Sequence, residues 1–183
     1  MEQNNSLIER AISFALRKHN GQLRRDGLPY ITHPLRVSEI VKKFKKSHRL
    51  HELMAAAILH DTLEDTDTTF DELKENFGEL VALIVFNLTN DKIEINKVGK
   101  SNYLCEKLSC PKKVSRWALV IKLADRLDNV SDLDIMEDRK FAEKIKKETY
   151  EILNYLEENR ELTSTQKRLI QAIKDKLKEV AGE

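Results

Sequence analysis

The sequence has few of the residues that interrupt helices, since it holds only 5 glycines and 3 prolines in 183 positions. That scarcity argues against turn-rich β architectures and favours a helical chain. The 2 cysteines, Cys105 and Cys110, are too few for a disulfide scaffold and lack the paired spacing of a zinc site. We expect them to be ordinary thiols of a reducing compartment.

An excess of charge of either sign is also missing. The 32 basic and 31 acidic residues leave a formal net charge of +1, which gives no general reason to expect nucleic-acid or membrane binding. No apolar run approaches the roughly 20 residues of a membrane span, and the N-terminus has no apolar core of a signal peptide. We therefore expect a cytoplasmic protein, and the sequence leaves its oligomeric state open.

Apolar residues recur at helical spacing along most of the chain, without a repeat or a linker. The pattern predicts helices around Leu7 to Leu16, over Leu35–Phe44, Arg49–His60 and Lys112–Val130, and again within residues 137–180. Short helices continue to Leu88, the first of them capped by Thr69 with Glu72 three residues later.

Two segments break this pattern. Asn20–Tyr30 contains two glycines and a proline and is typical of a loop, and the polar stretch Asn90–Asn102 is interpreted as an irregular basic loop. The sequence therefore predicts an all-α bundle of about eight to ten helices with no meaningful sheet. We expect one domain over residues 1–183, with the last helices packed on the rest.

Four ionisable residues crowd the end of an apolar helix. After LMAAAIL, the chain places His60, Asp61, Glu64 and Asp65 within six positions. On a continuous helix, His60 shares a face with Glu64, and Asp61 with Asp65. Unpaired charges are costly in an apolar environment, and imidazole plus carboxylate suits manganese, iron or zinc. The alternative is a solvated helix end with an ordinary cap.

A second apolar helix, Ala118–Val130, carries a narrow polar stripe. At about 100° per residue, Lys122, Asp125, Arg126 and Asn129 fall within roughly a quarter of the circumference. The stripe belongs either to a polar site or to the solvated side of the helix.

His33 is a third candidate, since it stands in the motif PYITHP where a loop meets a helix. A histidine in such a place is either structural or a metal ligand. His19, His48 and His51 lack a comparable context, and we expect them at the surface.

Together these motifs resemble the HD superfamily of metal-dependent phosphohydrolases. GQLRRDGLPYITHP, AAILHDTLEDT and VIKLADRLDNV are similar to the hydrolase domain of RelA/SpoT proteins and to the small alarmone hydrolases. The resemblance covers roughly Ile8 to Leu133, with the motifs in the family order. The residues beyond it carry only helical periodicity.

The resemblance implies four ligands for one Mn²⁺ ion per chain: His33, His60, Asp61 and Asp125. It also implies that Glu64 and Asp65 orient and deprotonate the attacking water. This division is chemically reasonable, because a metal lowers the pKa of its bound water and a carboxylate outside the ligand set can accept the proton.

The resemblance further implies contacts with a nucleotide substrate. Arg24 matches an arginine that stacks on guanine, Arg25 replaces the usual lysine beside it, and Asp26 stands where RelA/SpoT hydrolases usually have serine. Asn129 matches a substrate-contacting asparagine. We expect three lysines to bind phosphate charge: Lys97, Lys100 and Lys122.

The implied reaction is hydrolysis of the 3′-pyrophosphate of the alarmones ppGpp and pppGpp, giving GDP or GTP and pyrophosphate. We expect degradation without synthesis, since 183 residues leave no room for a synthetase domain. Two alternatives stay open, namely a metal-dependent phosphatase acting on another nucleotide such as NADPH and a non-catalytic alarmone-binding protein.

Overall fold

The computed structural model describes residues 6–133, 136 and 138–181, and the chain divides after Thr89 into two compact units. In these described residues the regular elements are helices, accompanied by an isolated bridge between Leu23 and Pro29. The predicted all-α class is confirmed, whereas the one-domain organisation stays a prediction. No helix in this part of the chain is long and apolar enough to cross a membrane.

Six helices are described in the first unit: α1 (Leu7–Lys18), α2 (Thr32–Phe44), α3 (Leu50–Ile58), α4 (Thr62–Asp65), α5 (Phe70–Phe77) and α6 (Glu79–Leu88). α1 begins with a capping box, in which Ser6 Oγ accepts from Glu9 N and the Glu9 carboxylate accepts from Ser6 N. At the predicted start of α5, Thr69 Oγ1 accepts from Glu72 N at 3.2 Å.

α3 lies at the core of the first unit, where it packs against α1, α2 and α6. Every residue from Leu53 to Ile58 is buried, because this stretch contains only Leu, Met, Ala and Ile side chains. Burial on all sides is what the uniformly apolar sequence predicts. The core thereby fixes the position of the residues that follow α3.

α3 ends earlier than the sequence predicts. It ends at Ile58, and the next three residues form a turn before α4. Leu59 N donates to Ala55 O at 3.0 Å and closes the helix. The expectation that His60 and Glu64 share one helical face is therefore wrong, since the first lies in the turn and the second in α4.

Five helices are described in the second unit: α7 (Lys92–Val98), α8 (Lys100–Ser109), α9 (Arg116–Ser131), α10 (Arg139–Asn159) and α11 (Ser164–Ala181). α9 packs against α10 and α11, and α8 packs against α7 and α10. Ser115 caps α9, where its side chain accepts from Ala118 N at 3.1 Å.

The predicted irregular loop over Asn90–Asn102 is wrong, because most of it is helical. Asp91 Oδ1 accepts from Ile93 N at 2.9 Å and from Glu94 N at 3.1 Å, which caps α7. Gly99, with φ of 84°, separates α7 from α8. No residue of α7 is buried. A short helix without a buried face does not show the apolar repeat from which helices are predicted in a sequence. With the four-residue α4, it brings the described helices to eleven, against the eight to ten expected.

Candidate metal centre

Two histidines and an aspartate of the first unit converge. His33 lies in the first turn of α2, and His60 and Asp61 lie in the turn before α4. One ligand atom from each lies within 4.8 Å of the other two. Both histidines are buried, whereas 19% of the Asp61 side chain is exposed. The cluster is therefore buried on its histidine side and open to solvent at the carboxylate.

The Oδ2 atom of Asp61 is the centre of this cluster. It lies 3.0 Å from Nε2 of His60 and 3.9 Å from Nε2 of His33. The hydroxyl of Tyr30 donates a hydrogen bond to the same oxygen. The two imidazole rings meet edge to face, with centroids 5.2 Å apart. Two ring nitrogens and one hydroxyl thus face a single carboxylate oxygen.

The backbone sets the tautomer of His60. Its Nδ1 lies 2.8 Å from the carbonyl oxygen of Ala57, which can only accept, so Nδ1 carries the proton. In the neutral ring, the lone pair of Nε2 then faces the Asp61 carboxylate at 3.0 Å. Two acceptors this close repel each other unless a proton or a metal ion lies between them. A carbonyl behind an imidazole is also the usual arrangement of a metal-ligating histidine.

α4 carries the two predicted acids. The amides of Glu64 and Asp65 donate to the Asp61 carbonyl at 3.2 Å and 2.9 Å, so both residues lie within one turn of the proposed ligand. Glu64 is half-buried, and Asp65 is exposed. The backbone thus keeps both acidic residues close in the chain to the His33, His60 and Asp61 cluster.

The loop between α1 and α2 carries the two predicted arginines. A turn forms where Gly27 N donates to Arg24 O at 3.0 Å and Arg24 N donates to Leu28 O at 2.8 Å. Gly27 has φ of 81°, a conformation that favours glycine. The Asp26 carboxylate accepts from Leu28 N at 3.0 Å, so the residue at the usual serine position shapes this turn. Only 13% of the Arg24 side chain is exposed, whereas Arg25 is exposed.

In the second unit, three residues of the predicted stripe on α9 form one network. Lys122 Nζ donates to Asp125 Oδ2 at 2.8 Å, and Asn129 Nδ2 donates to Asp125 Oδ1 at 2.6 Å. Arg126 instead forms a buried ion pair with Glu148 of α10 at 3.1 Å. Because Asp125 and Arg126 are buried, the stripe is a polar network joined to helix packing, not a solvated face.

The other two predicted lysines lie at the surface of the second unit. Lys97 is in the last turn of α7 and forms an ion pair with Glu94 at 3.2 Å, and Lys100 is the first residue of α8. Both are exposed. Their assignment to the substrate stays a prediction.

Comparison with known proteins decides the family. Residues 11–109, more than half of the chain, match the HD domain family. The chain belongs to the HD-domain family. The resemblance inferred from the three motifs is thereby confirmed.

Relatives of this HD-domain chain include a guanosine-3′,5′-bis(diphosphate) 3′-pyrophosphohydrolase of Aquifex aeolicus, 44% identical over 79% of the chain. A second, from Danio rerio and named MESH1, carries the same enzyme name and is 38% identical over 70% of each chain. A GTP pyrophosphokinase of Streptomyces coelicolor is 38% identical over 79% of the chain. The chain spans only 20% and 17% of the two bacterial relatives.

Two solved structures resemble the HD-domain chain. The first is described as a metazoan ortholog of SpoT that hydrolyses ppGpp, and it matches with a TM-score of 0.73 and 25% identity over 96% of this chain and 98% of its own. The second, lmo0812 of Listeria monocytogenes, matches with a TM-score of 0.63 over 82% of this chain and 99% of its own. Its 20% identity supports the fold alone.

Membership of the HD-domain family implies that a divalent metal binds. The donor set of His33, His60 and Asp61 fits such an ion, because its atoms converge and the tautomer of His60 directs Nε2 toward Asp61.

Sequence reasoning missed Tyr30 and misplaced His19 in this HD domain. His19 was expected at the surface, but only 4% of it is exposed, and its Nδ1 lies 2.8 Å from Gln22 Oε1. Its ring lies 4.7 Å from that of Tyr30, centroid to centroid. The available signal was the motif PYITHP, which holds Tyr30 three residues before His33.

Proposed function

We propose that this chain is a metal-dependent hydrolase that removes the 3′-pyrophosphate from ppGpp and pppGpp. The observation that carries the proposal is the convergence of His33, His60 and Asp61 at one carboxylate oxygen. Two relatives that share this family are named for the same reaction, which supports the substrate class. The cytoplasmic location stays a prediction from the sequence.

The three converging residues would hold the metal, and Asp125 is proposed as a further ligand on the sequence resemblance. A mixed imidazole and carboxylate set suits Mn²⁺. When bound, a divalent ion neutralises phosphate charge and lowers the pKa of a bound water. His60 enters this set already oriented by the Ala57 carbonyl.

The reaction requires water to attack the phosphorus attached to the 3′-oxygen. A P–O bond forms to the water oxygen, the bond to the 3′-oxygen breaks, and a proton returns to the 3′-oxygen. We assign acceptance of the water proton to Glu64 or Asp65, because both acidic residues lie within one turn of Asp61 and match the family's Glu-Asp pair. The products are GDP or GTP with a free 3′-hydroxyl, and pyrophosphate.

Arg24 is proposed to bind the guanine base. Its backbone is held by hydrogen bonds to Leu28 and Gly27, and its side chain is mostly buried. A planar guanidinium stacks on a purine better than an ammonium group does. A stacking arginine on a fixed turn loses less conformational entropy on binding than one on a mobile loop.

The direct experiment is to incubate the chain with ppGpp and Mn²⁺ and identify the products. We expect GDP and pyrophosphate, with no product from His60→Ala. Release of inorganic phosphate from NADPH at a higher kcat/KM than ppGpp turnover would instead identify another nucleotide as the substrate. Tight binding of ppGpp without any product would identify a binding protein.

A further inference from the structure

Tyr30 makes a direct contact with the metal centre that the proposed mechanism does not use. Its hydroxyl donates to Oδ2 of Asp61, the oxygen nearest to both histidine Nε2 atoms. A carboxylate can rotate about its Cβ–Cγ bond and present either oxygen, so a donor on one oxygen restricts that rotation. The hydroxyl is therefore placed where it sets the orientation of a ligand.

Both the backbone and the ring of Tyr30 are held in place by neighbouring residues. Its amide donates to Gln22 O at 3.0 Å, and its carbonyl accepts from His33 N at 3.0 Å. The His19 ring packs against it with an interplanar angle of 36°. The hydrogen bond from His33 N makes Tyr30 part of the turn that leads into α2, so the position of Tyr30 is coupled to that of His33.

Two side-chain hydrogen bonds connect the residues around Tyr30 to α4. His19 is buried, and its Nδ1 lies 2.8 Å from Gln22 Oε1. The side-chain Nε2 of the same Gln22 donates to the backbone carbonyl of Asp65 at 3.0 Å. The loop between α1 and α2 is thus tied to both ends of the segment Asp61–Asp65.

We propose that Tyr30 is a positioning residue, which orients the Asp61 carboxylate for metal binding through its hydroxyl. This inference rests on the proposed metal function of Asp61, and Tyr30 itself is assigned no contact with the substrate. Partners that orient a metal ligand typically contribute 10–100-fold to metal affinity or activity. The hydroxyl, not the ring, should carry the effect.

The decisive variant is Tyr30→Phe, because it keeps the ring that packs on His19 and removes only the donor. Tyr103→Phe is a matched control: Tyr103 also uses its hydroxyl in one hydrogen bond, accepting from Asp91 N at 2.8 Å, but it belongs to the second unit. Mn²⁺ binding is measured on the full chain by electron paramagnetic resonance, together with the Tm of the metal-free chain.

We expect Tyr30→Phe to weaken Mn²⁺ binding by about 10-fold, with little change in the metal-free Tm, and Tyr103→Phe to bind as the wild type does. Where ppGpp is hydrolysed, half-maximal activity should require about 10-fold more Mn²⁺, while KM for ppGpp is unchanged.

Wild-type Mn²⁺ affinity in Tyr30→Phe would overturn the inference. So would a loss of affinity accompanied by unfolding of the metal-free chain, since that would mark a structural role. A wild-type chain that binds Mn²⁺ but leaves ppGpp intact would overturn the proposed substrate and leave the role of Tyr30 testable by metal binding. A wild-type chain that binds no Mn²⁺ would overturn both.

Discussion

Asp61 and Asp125 are the two predicted carboxylate ligands, and they lie in different local environments. Asp61, in the first unit, faces two imidazole nitrogens and a tyrosine hydroxyl. Asp125, in the second unit, accepts from the ammonium of Lys122 and the amide of Asn129. Asp61 is also more exposed, with 19% of its side chain open to solvent against 7% for Asp125.

The two ligand assignments therefore have different support. The charge of Asp125 is matched by a lysine three residues earlier on its own helix. Asp61 instead meets Nε2 of His60 at 3.0 Å, an arrangement that calls for a proton or a metal ion between the two atoms. The donor geometry that favours a metal therefore lies in the first unit, and Asp125 joins the proposed ligand set by sequence resemblance alone.

The largest expected effect comes from removing each carboxylate. Asp61→Ala should abolish Mn²⁺ binding and reduce ppGpp hydrolysis on the order of 10³-fold or more, because the metal no longer activates water. Asp125→Ala should do the same if it is a ligand. Metal content by elemental analysis and initial rates measure both. Wild-type Mn²⁺ affinity in Asp125→Ala would remove that residue from the ligand set, and the same result for Asp61→Ala would contradict the metal centre.

The acids of α4 should behave differently from either ligand. Glu64→Gln and Asp65→Asn remove a proton acceptor but no ligand, so metal content should stay at the wild-type level. The residue that acts as the base should lose about 10²–10⁴-fold in kcat when neutralised. Single-turnover rates at saturating Mn²⁺ measure this, and full rates in both variants would show that the base lies elsewhere.

Arg24→Ala should affect the substrate and not the metal. We expect KM for ppGpp to rise by roughly tenfold, equivalent to about 1–2 kcal/mol for a partly desolvated cation–π contact. Arg49→Ala serves as the control, since Arg49 is a half-exposed arginine of the same unit that pairs with Glu52. An unchanged KM in Arg24→Ala would mean that the base is held by other residues.

The smallest effect tests the neighbour of Asp125. If Asp125 is a ligand, Lys122→Met should strengthen Mn²⁺ binding by about threefold, or ~0.7 kcal/mol, because the competing ammonium is gone. Lys42→Met is the matched control, as Lys42 also pairs with an acid three residues away, in the first unit. Equal Mn²⁺ affinity in Lys122→Met and the wild type would argue that Asp125 does not bind the ion.

The sequence predicted the helical class from local signals, and the family resemblance named the three residues that converge in the first unit. The apolar run before His60 predicted a buried helix, and two of the three family motifs named His33, His60 and Asp61, whose donor atoms converge. Periodicity gave helix positions well wherever one face is buried.

Prediction from the sequence failed where tertiary contacts or helix caps determine the structure. The turn after Ile58 is not visible in a sequence that favours helix on both sides, and α7 depends on the Asp91 cap instead of on apolar spacing. The burial of His19 could not be predicted because its partners, Gln22 and Tyr30, lie in a loop whose path the sequence does not specify.

The turn that follows α3 has a consequence for transplanting this centre into other proteins. Side chains of neighbouring residues diverge by about 100° on a helix and point to opposite faces of a strand. Two adjacent residues in either element are therefore poorly placed to bind the same ion. At His60 and Asp61 the turn brings Nε2 and Oδ2 to 3.0 Å, so both atoms could bind the proposed ion together. A His-Asp pair grafted onto a continuous helix should therefore not bind a metal ion through both side chains. The portable unit is the apolar helix, the three-residue turn and the short helix after it.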